Sequence, residues 1–133
     1  MALVAAMALS GCSALQSRPP EEIIADRALA QARDLINRDY DSALTYVVPS
    51  YQSGARAKFY EAEFAGAANW IDASVRWVKC GEAEQAARCD ARLWIYGSSP
   101  FSGRYSSARG DDVPWSWDTV WVKIDGQWYQ YLD

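Results

Sequence analysis

Few side chains in this 133-residue sequence can do chemistry: three cysteines, at positions 12, 80 and 89, a scatter of carboxylates, and no histidine. Without histidine there is no imidazole acid–base pair or triad, and the commonest metal ligand is missing. Two nearby thiolates with no further nitrogen or sulfur donors make a poor zinc site, so no metal or cofactor is expected. Neither a Gly-x-Ser-x-Gly elbow nor a phosphate-binding glycine loop occurs. What remains is a lone carboxylate on a strand. Asp72 and Asp118 both fall in strand-like stretches, and Asp118 shares a face with Val120 and Val122. A carboxylate on an apolar face loses solvation, its pKa rises, and it becomes a usable base. The competing reading pairs each with Arg76, Arg92 or Lys123 as an ordinary surface ion, and neither is assigned a catalytic role. Arg109-Gly110-Asp111 matches an adhesion tripeptide, but a polar loop accounts for it.

Aromatic residues are the second resource. The sequence holds seven tryptophans and eight tyrosines. Trp94, Tyr96, Trp115, Trp117 and Trp121, joined by Tyr129 and Tyr131, could line a mouth where flat rings stack on a sugar or an apolar ligand. Core packing is the competing role, because tryptophan is heavily buried on average. The run Trp115-Ser116-Trp117-Asp118, beside a long loop, is the best binding candidate.

Residues 1 to 9, Met-Ala-Leu-Val-Ala-Ala-Met-Ala-Leu, are uncharged and apolar, and they end at Ser10-Gly11-Cys12. The run suits a secretory signal and falls short of the ~20 residues of a spanning helix. Leu9-Ser10-Gly11-Cys12 resembles the lipobox of bacterial lipoproteins, although no basic residue precedes the apolar run as the pattern would have it. The resemblance implies removal of residues 1–11, acylation of Cys12, and attachment to the lipid bilayer through that residue. It places the protein in the cell envelope, and in the outer membrane facing the periplasm if the organism is diderm, since Ser13 rather than Asp follows Cys12. Acylation of Cys12 also leaves Cys80 and Cys89 as a pair, and an oxidising envelope compartment favours their disulfide.

Residues 12–19 form a short polar tether from the lipidated cysteine, and residues 20–133 a single domain. The net charge of −4 and pI near 4.8, with no Lys/Arg cluster, argue against nucleic acid and against polybasic contact with anionic lipid. Oligomeric state cannot be read from these features. Pro19-Pro20 followed by Glu21-Glu22 reads as a helix start, and Ile24, Ala28, Ala32 and Leu35 give one apolar stripe to about Arg38. Asp39 or Asp41 caps a short second helix carrying Ala43, Leu44 and Val47, stopped by Pro49. A third helix is predicted from Gly54 to Ala67, with Ala57, Tyr60, Phe64 and Ala67 on one face.

The second half then changes period. Ile71, Ala73, Val75 and Trp77 alternate along a strand to Cys80. Cys89 opens another strand with Leu93 and Ile95 on one face and Trp94 and Tyr96 on the other. If Cys80 faces Cys89 in a simple hairpin closed by the loop 81–88, Val75 lies opposite Trp94 and Ala73 opposite Tyr96. A loop-like stretch runs from Gly97 to Pro114, with a short strand near Arg104. Trp115 to Ile124 is the clearest strand, with Trp115, Trp117, Thr119 and Trp121 on one face. Asp125-Gly126 signals a tight turn into a last strand from Gln127 to Leu132.

Helices followed by strands give an α+β class: three N-terminal helices packed on a curved antiparallel sheet of four to five strands. The order, with the ending Trp121-Val-Lys-Ile-Asp-Gly-Gln-Trp128, resembles the cone fold shared by nuclear transport factor two, ketosteroid isomerase and the SnoaL-like cyclases. The resemblance implies that isomerases of that fold use an Asp base on the sheet, and spacing alone assigns neither Asp72 nor Asp118 to that position. The reading expected is therefore a non-catalytic domain docking on an envelope protein partner. An aromatic pocket for a glycan or small apolar ligand, and a lyase- or isomerase-like enzyme, are the alternatives.

Overall fold

The computed structural model describes residues 18–81, 87–97 and 114–133, with the side chain of residue 68 excepted. Cys12, the tether before Arg18, Arg109-Gly110-Asp111 and the strand expected near Arg104 lie outside the described residues. Helix α1 (Pro20–Ile36) begins with proline and two acidic residues in its first turn and buries Ile24, Ala28, Gln31, Ala32 and Leu35. The apolar stripe thus has one amide set into it. At its C-terminus Arg38 N–H donates to the Leu35 carbonyl and Asp39 N–H to the Asp34 carbonyl. This is the Schellman arrangement, which needs a left-handed residue at position 38. Arg38 supplies it at φ 60°, in a conformation that costs a side chain about 1 kcal/mol relative to glycine.

Helix α2 (Tyr40–Leu44) is capped by Asp39, whose carboxylate accepts from Ser42 N–H. Pro49 does not end this helix. It opens α3 (Pro49–Gln52), consistent with proline's preference for a first turn. The predicted third helix is broken into a 3₁₀ turn at Ala57–Phe59, helix α4 (Tyr60–Glu63) and a second 3₁₀ turn at Ala65–Asn69. Short pieces forfeit helical cooperativity, but they still bury Tyr60 and Ala67. Tertiary packing here overrides the helical period.

Four antiparallel strands follow in the order β1-β2-β3-β4: β1 (Trp70–Cys80), β2 (Arg88–Gly97), β3 (Trp115–Ile124) and β4 (Gln127–Gln130). Together with the helices they form an α+β domain on a curved sheet. Cys80 and Cys89 are register partners with Cα atoms 4.1 Å apart and are joined as a disulfide. The simple hairpin register holds as far as Trp77 opposite Arg92 and fails beyond it. Irregularities between Val75 and Trp77, and between Trp70 and Asp72, place Val75 opposite Leu93 and Ala73 opposite Ile95. Each extra residue switches which face the following side chains occupy. Trp77 is thereby taken off the face it was expected to share with Val75, and Ile71 is left 64% exposed. At the far end Gly97 lies so close to the Asn69 carbonyl that a Cβ would meet its oxygen at 2.2 Å. Asp125 (φ 50°) and Gly126 (φ 80°) make the tight turn between β3 and β4, with the paired positive φ values of a hairpin type I′ turn.

The strand ladder of β4 stops at Gln130, short of the expected Leu132. The other side of β4 is paired in parallel by the segment after α2. Val48 N–H donates to the Gln130 carbonyl (2.9 Å) and Gln130 N–H to the Tyr46 carbonyl (2.7 Å). Arg27 of α1 lies over the Tyr46 ring (4.8 Å) and the Tyr129 ring (5.7 Å), and burial holds its pKa below the usual guanidinium value. Among the described residues no helix is long and apolar enough to cross a membrane.

Candidate functional site

The sheet sorts the expected binding residues onto two faces. On the face toward α1 stand Ala73, Cys89, Ala91, Leu93, Ile95, Trp121 and Trp128, all buried with Ile24, Ala28 and Ala32. Trp121 is fully buried: its indole N–H donates to Thr119 Oγ1 (2.9 Å), which donates to the Ala91 carbonyl (3.2 Å). Trp121 is therefore a satisfied core residue and not part of a mouth. Trp117 is half-buried in a chain of rings. It meets Trp70 at 5.2 Å and Phe64 at 5.8 Å, and Phe64 continues to Tyr60 at 4.8 Å. Trp115, at the start of β3, is 36% exposed at the rim.

Deeper in the same interior lies a polar group that the sequence reading did not single out. Gln31 of α1 donates through Nε2 to the Tyr60 hydroxyl (3.2 Å) and to the Gln130 side-chain oxygen. Its own Oε1 is buried without a partner. Desolvation pushes the Tyr60 hydroxyl well above the usual phenol range. The signal for this cluster was an amide inside an apolar stripe, and another alternating with Trp128 and Leu132. Buried polar residues here are Gln31, Thr119 and Gln130, and no carboxylate joins them among the described residues.

The opposite face carries Trp94 and Tyr96, which belong to neither packed cluster. Trp77 also stands outside both clusters. Arg76 lies 5.0 Å over the Trp94 ring, while Lys79 (4.5 Å) and Arg92 (5.2 Å) both approach Trp77. Such stacks contribute about 0.5–1 kcal/mol each at exposed sites. Arg92 also grips Asp118 with both nitrogens, Nε to Oδ1 at 2.7 Å and Nη2 to Oδ2 at 2.9 Å. Those hydrogen bonds hold the Asp118 carboxyl below the usual carboxylate range, on a side chain that is 59% exposed. The apolar surroundings that would raise its pKa are not there. Asp72 is exposed, sits opposite Tyr96 on this face and accepts a hydrogen bond from Ala73 N–H at 2.8 Å. Both candidate bases thus lie outside the interior, and no group of three or more metal-ligating side chains occurs among the described residues.

No protein-family model and no curated protein sequence matches the chain. Its structure is similar to a solved protein of Campylobacter jejuni provisionally named an NTF2-like transpeptidase. The TM-score is 0.56 and the identity 16%, over 81% of this chain and 96% of that one. The likeness shows an NTF2-like fold.

Proposed function

We propose that this protein is a lipid-anchored envelope protein, held through acylated Cys12, whose NTF2-like domain binds another envelope protein rather than catalysing a reaction. The observation that carries this reading is the group Trp77, Trp94 and Tyr96, outside both packed clusters and interleaved with Arg76, Lys79 and Arg92. Arg, Trp and Tyr are the residue types that dominate binding energy at protein interfaces. Arg92 already has Asp118, whereas Arg76 and Lys79 form no ion pair among the described residues, so the partner surface is expected to carry carboxylates. Lipobox-like Leu9-Ser10-Gly11-Cys12 supports the anchor, and the few residues between Cys12 and Arg18 keep the domain within roughly 20 Å of the bilayer.

A second reading, a glycan or flat apolar ligand at the rim, draws on exposed Trp115 and Ile71 beside the Trp70–Trp117 stack. An Asp-based isomerase has less support, because Asp118 is tied to Arg92 and the interior holds amides and hydroxyls. The transpeptidase in the neighbour's name has none in this sequence, which contains no Ser-x-x-Lys motif.

The test is photocrosslinking from position 96 in native membranes, combined with mass analysis of the N-terminal residue. One defined crosslinked species, lost in Arg76→Glu/Lys79→Glu, is expected together with an acylated Cys12. A crosslink indifferent to that charge reversal would refute the docking face, and an unmodified Cys12 would refute the anchor.

A further inference from the structure

Away from the sheet, the corner after α1 and the broken third helix enclose a surface cleft of about 840 Å³. Arg38, Tyr40 and Asp41 line it from the corner after α1, and Lys58, Glu61, Ala62 and Ala65 from the broken third helix. Asp39, also at the edge, is already occupied in capping α2. The remaining two cations and two carboxylates face one cleft, yet none of the four forms an ion pair among the described residues. Opposite charges left unpaired around one cleft can be satisfied by a molecule bound among them. An anion alone would meet Asp41 and Glu61, and a cation alone would meet Arg38 and Lys58. A molecule carrying both charges satisfies both sets.

Arg38 adds an independent observation. It holds the left-handed position that closes α1, where glycine is the residue of least strain. Arg38 has no ion partner of its own among the described residues, so its guanidinium is available to a ligand. Side chains held in sparsely populated backbone regions cluster at sites that bind ligands.

We propose that this cleft binds a short zwitterionic peptide with both of its termini free. Arg38 and Lys58 take the carboxylate, Asp41 and Glu61 take the ammonium group, and Ala62 and Ala65 leave space for small side chains. The proposal does not rest on the docking face or on the lipid anchor.

The test titrates the purified full chain with alanyl-alanine, N-acetyl-alanyl-alanine and alanyl-alanine amide, followed by amide NMR shifts. Alanyl-alanine should give saturable shifts centred on residues 38–41 and 58–65, and blocking either end should weaken binding about tenfold or more. Arg38→Gly should raise Tm by about 2–5 °C and weaken binding at least about tenfold. Lys58→Ala should weaken it without that rise. No saturation by about 10 mM, shifts elsewhere, equal binding of the acetylated peptide, or undiminished binding by Arg38→Gly would each overturn the proposal.

Discussion

Trp121 and Trp94 sit one strand apart in the same sheet, and they are used in opposite ways. Trp121 faces α1, is fully buried, and spends its one polar atom on Thr119. Trp94 faces away, stays outside both packed clusters, and offers its ring face to Arg76. The inner face pairs most of its polar atoms through uncharged groups, Gln31, Tyr60, Gln130 and Thr119, and leaves Gln31 Oε1 without a partner. The outer face uses ions, through Arg92 and Asp118. Desolvation explains the division, since amides and hydroxyls can be buried with a partner at modest cost whereas ions cannot. One face therefore packs neutral groups against α1, and the other leaves its charges to solvent.

The largest effect should come from truncating the two tryptophans. Trp121→Ala is expected to cost about 3–5 kcal/mol and to unfold the domain at much lower denaturant, whereas Trp94→Ala should cost about 1 kcal/mol or less. Comparable losses in urea melts would mean that the outer face is a second core. Next comes the disulfide. Cys80→Ser/Cys89→Ser should lose about 2–3 kcal/mol by the loop-entropy estimate, with an added packing loss at fully buried Cys89. A calorimetric melt unchanged by the double replacement would show that strand pairing alone fixes the register.

The smallest effect concerns the outer ion pair. Asp118 has a depressed folded pKa, so its stabilising contribution is present above the ordinary carboxylate range and is lost as pH falls through the folded value. Arg92→Ala should return Asp118 toward its ordinary titration and flatten that part of the stability–pH curve, with little change in Tm at neutral pH. An Asp118 titration unmoved in carbon-detected NMR would separate the pair from the shift.

What could be read in the sequence was what is local. The α1 stripe, the Asp39 cap and the Asp125-Gly126 turn each depend on neighbours within four or five residues, and each is present. The strand irregularities leave no residue signature. The alternation through Ile71 and Trp77 therefore ran past them and assigned both side chains to the wrong face. The segment from Gly54 to Ala67 had a helical period but became short turns, because burying Tyr60 against Gln31 outweighs propensity. Trp94 and Tyr96 were correctly set opposite Leu93 and Ile95. Whether the five aromatics shared one mouth depended on the sheet's sidedness, which no spacing records. The Arg38–Lys58 cleft was invisible for the same reason: its walls come from segments about twenty residues apart.

The Gln31–Tyr60–Gln130 cluster also bears on timing. Its amides stand 99 residues apart along the chain, and the same residue 130 gives Tyr46 and Val48 their backbone partners. A chain emerging from a ribosome cannot satisfy those groups until residue 130 has cleared the exit. Until then the first hundred residues can form turns and helices, but they cannot lock. The helical half therefore sets only after the last strand has been made.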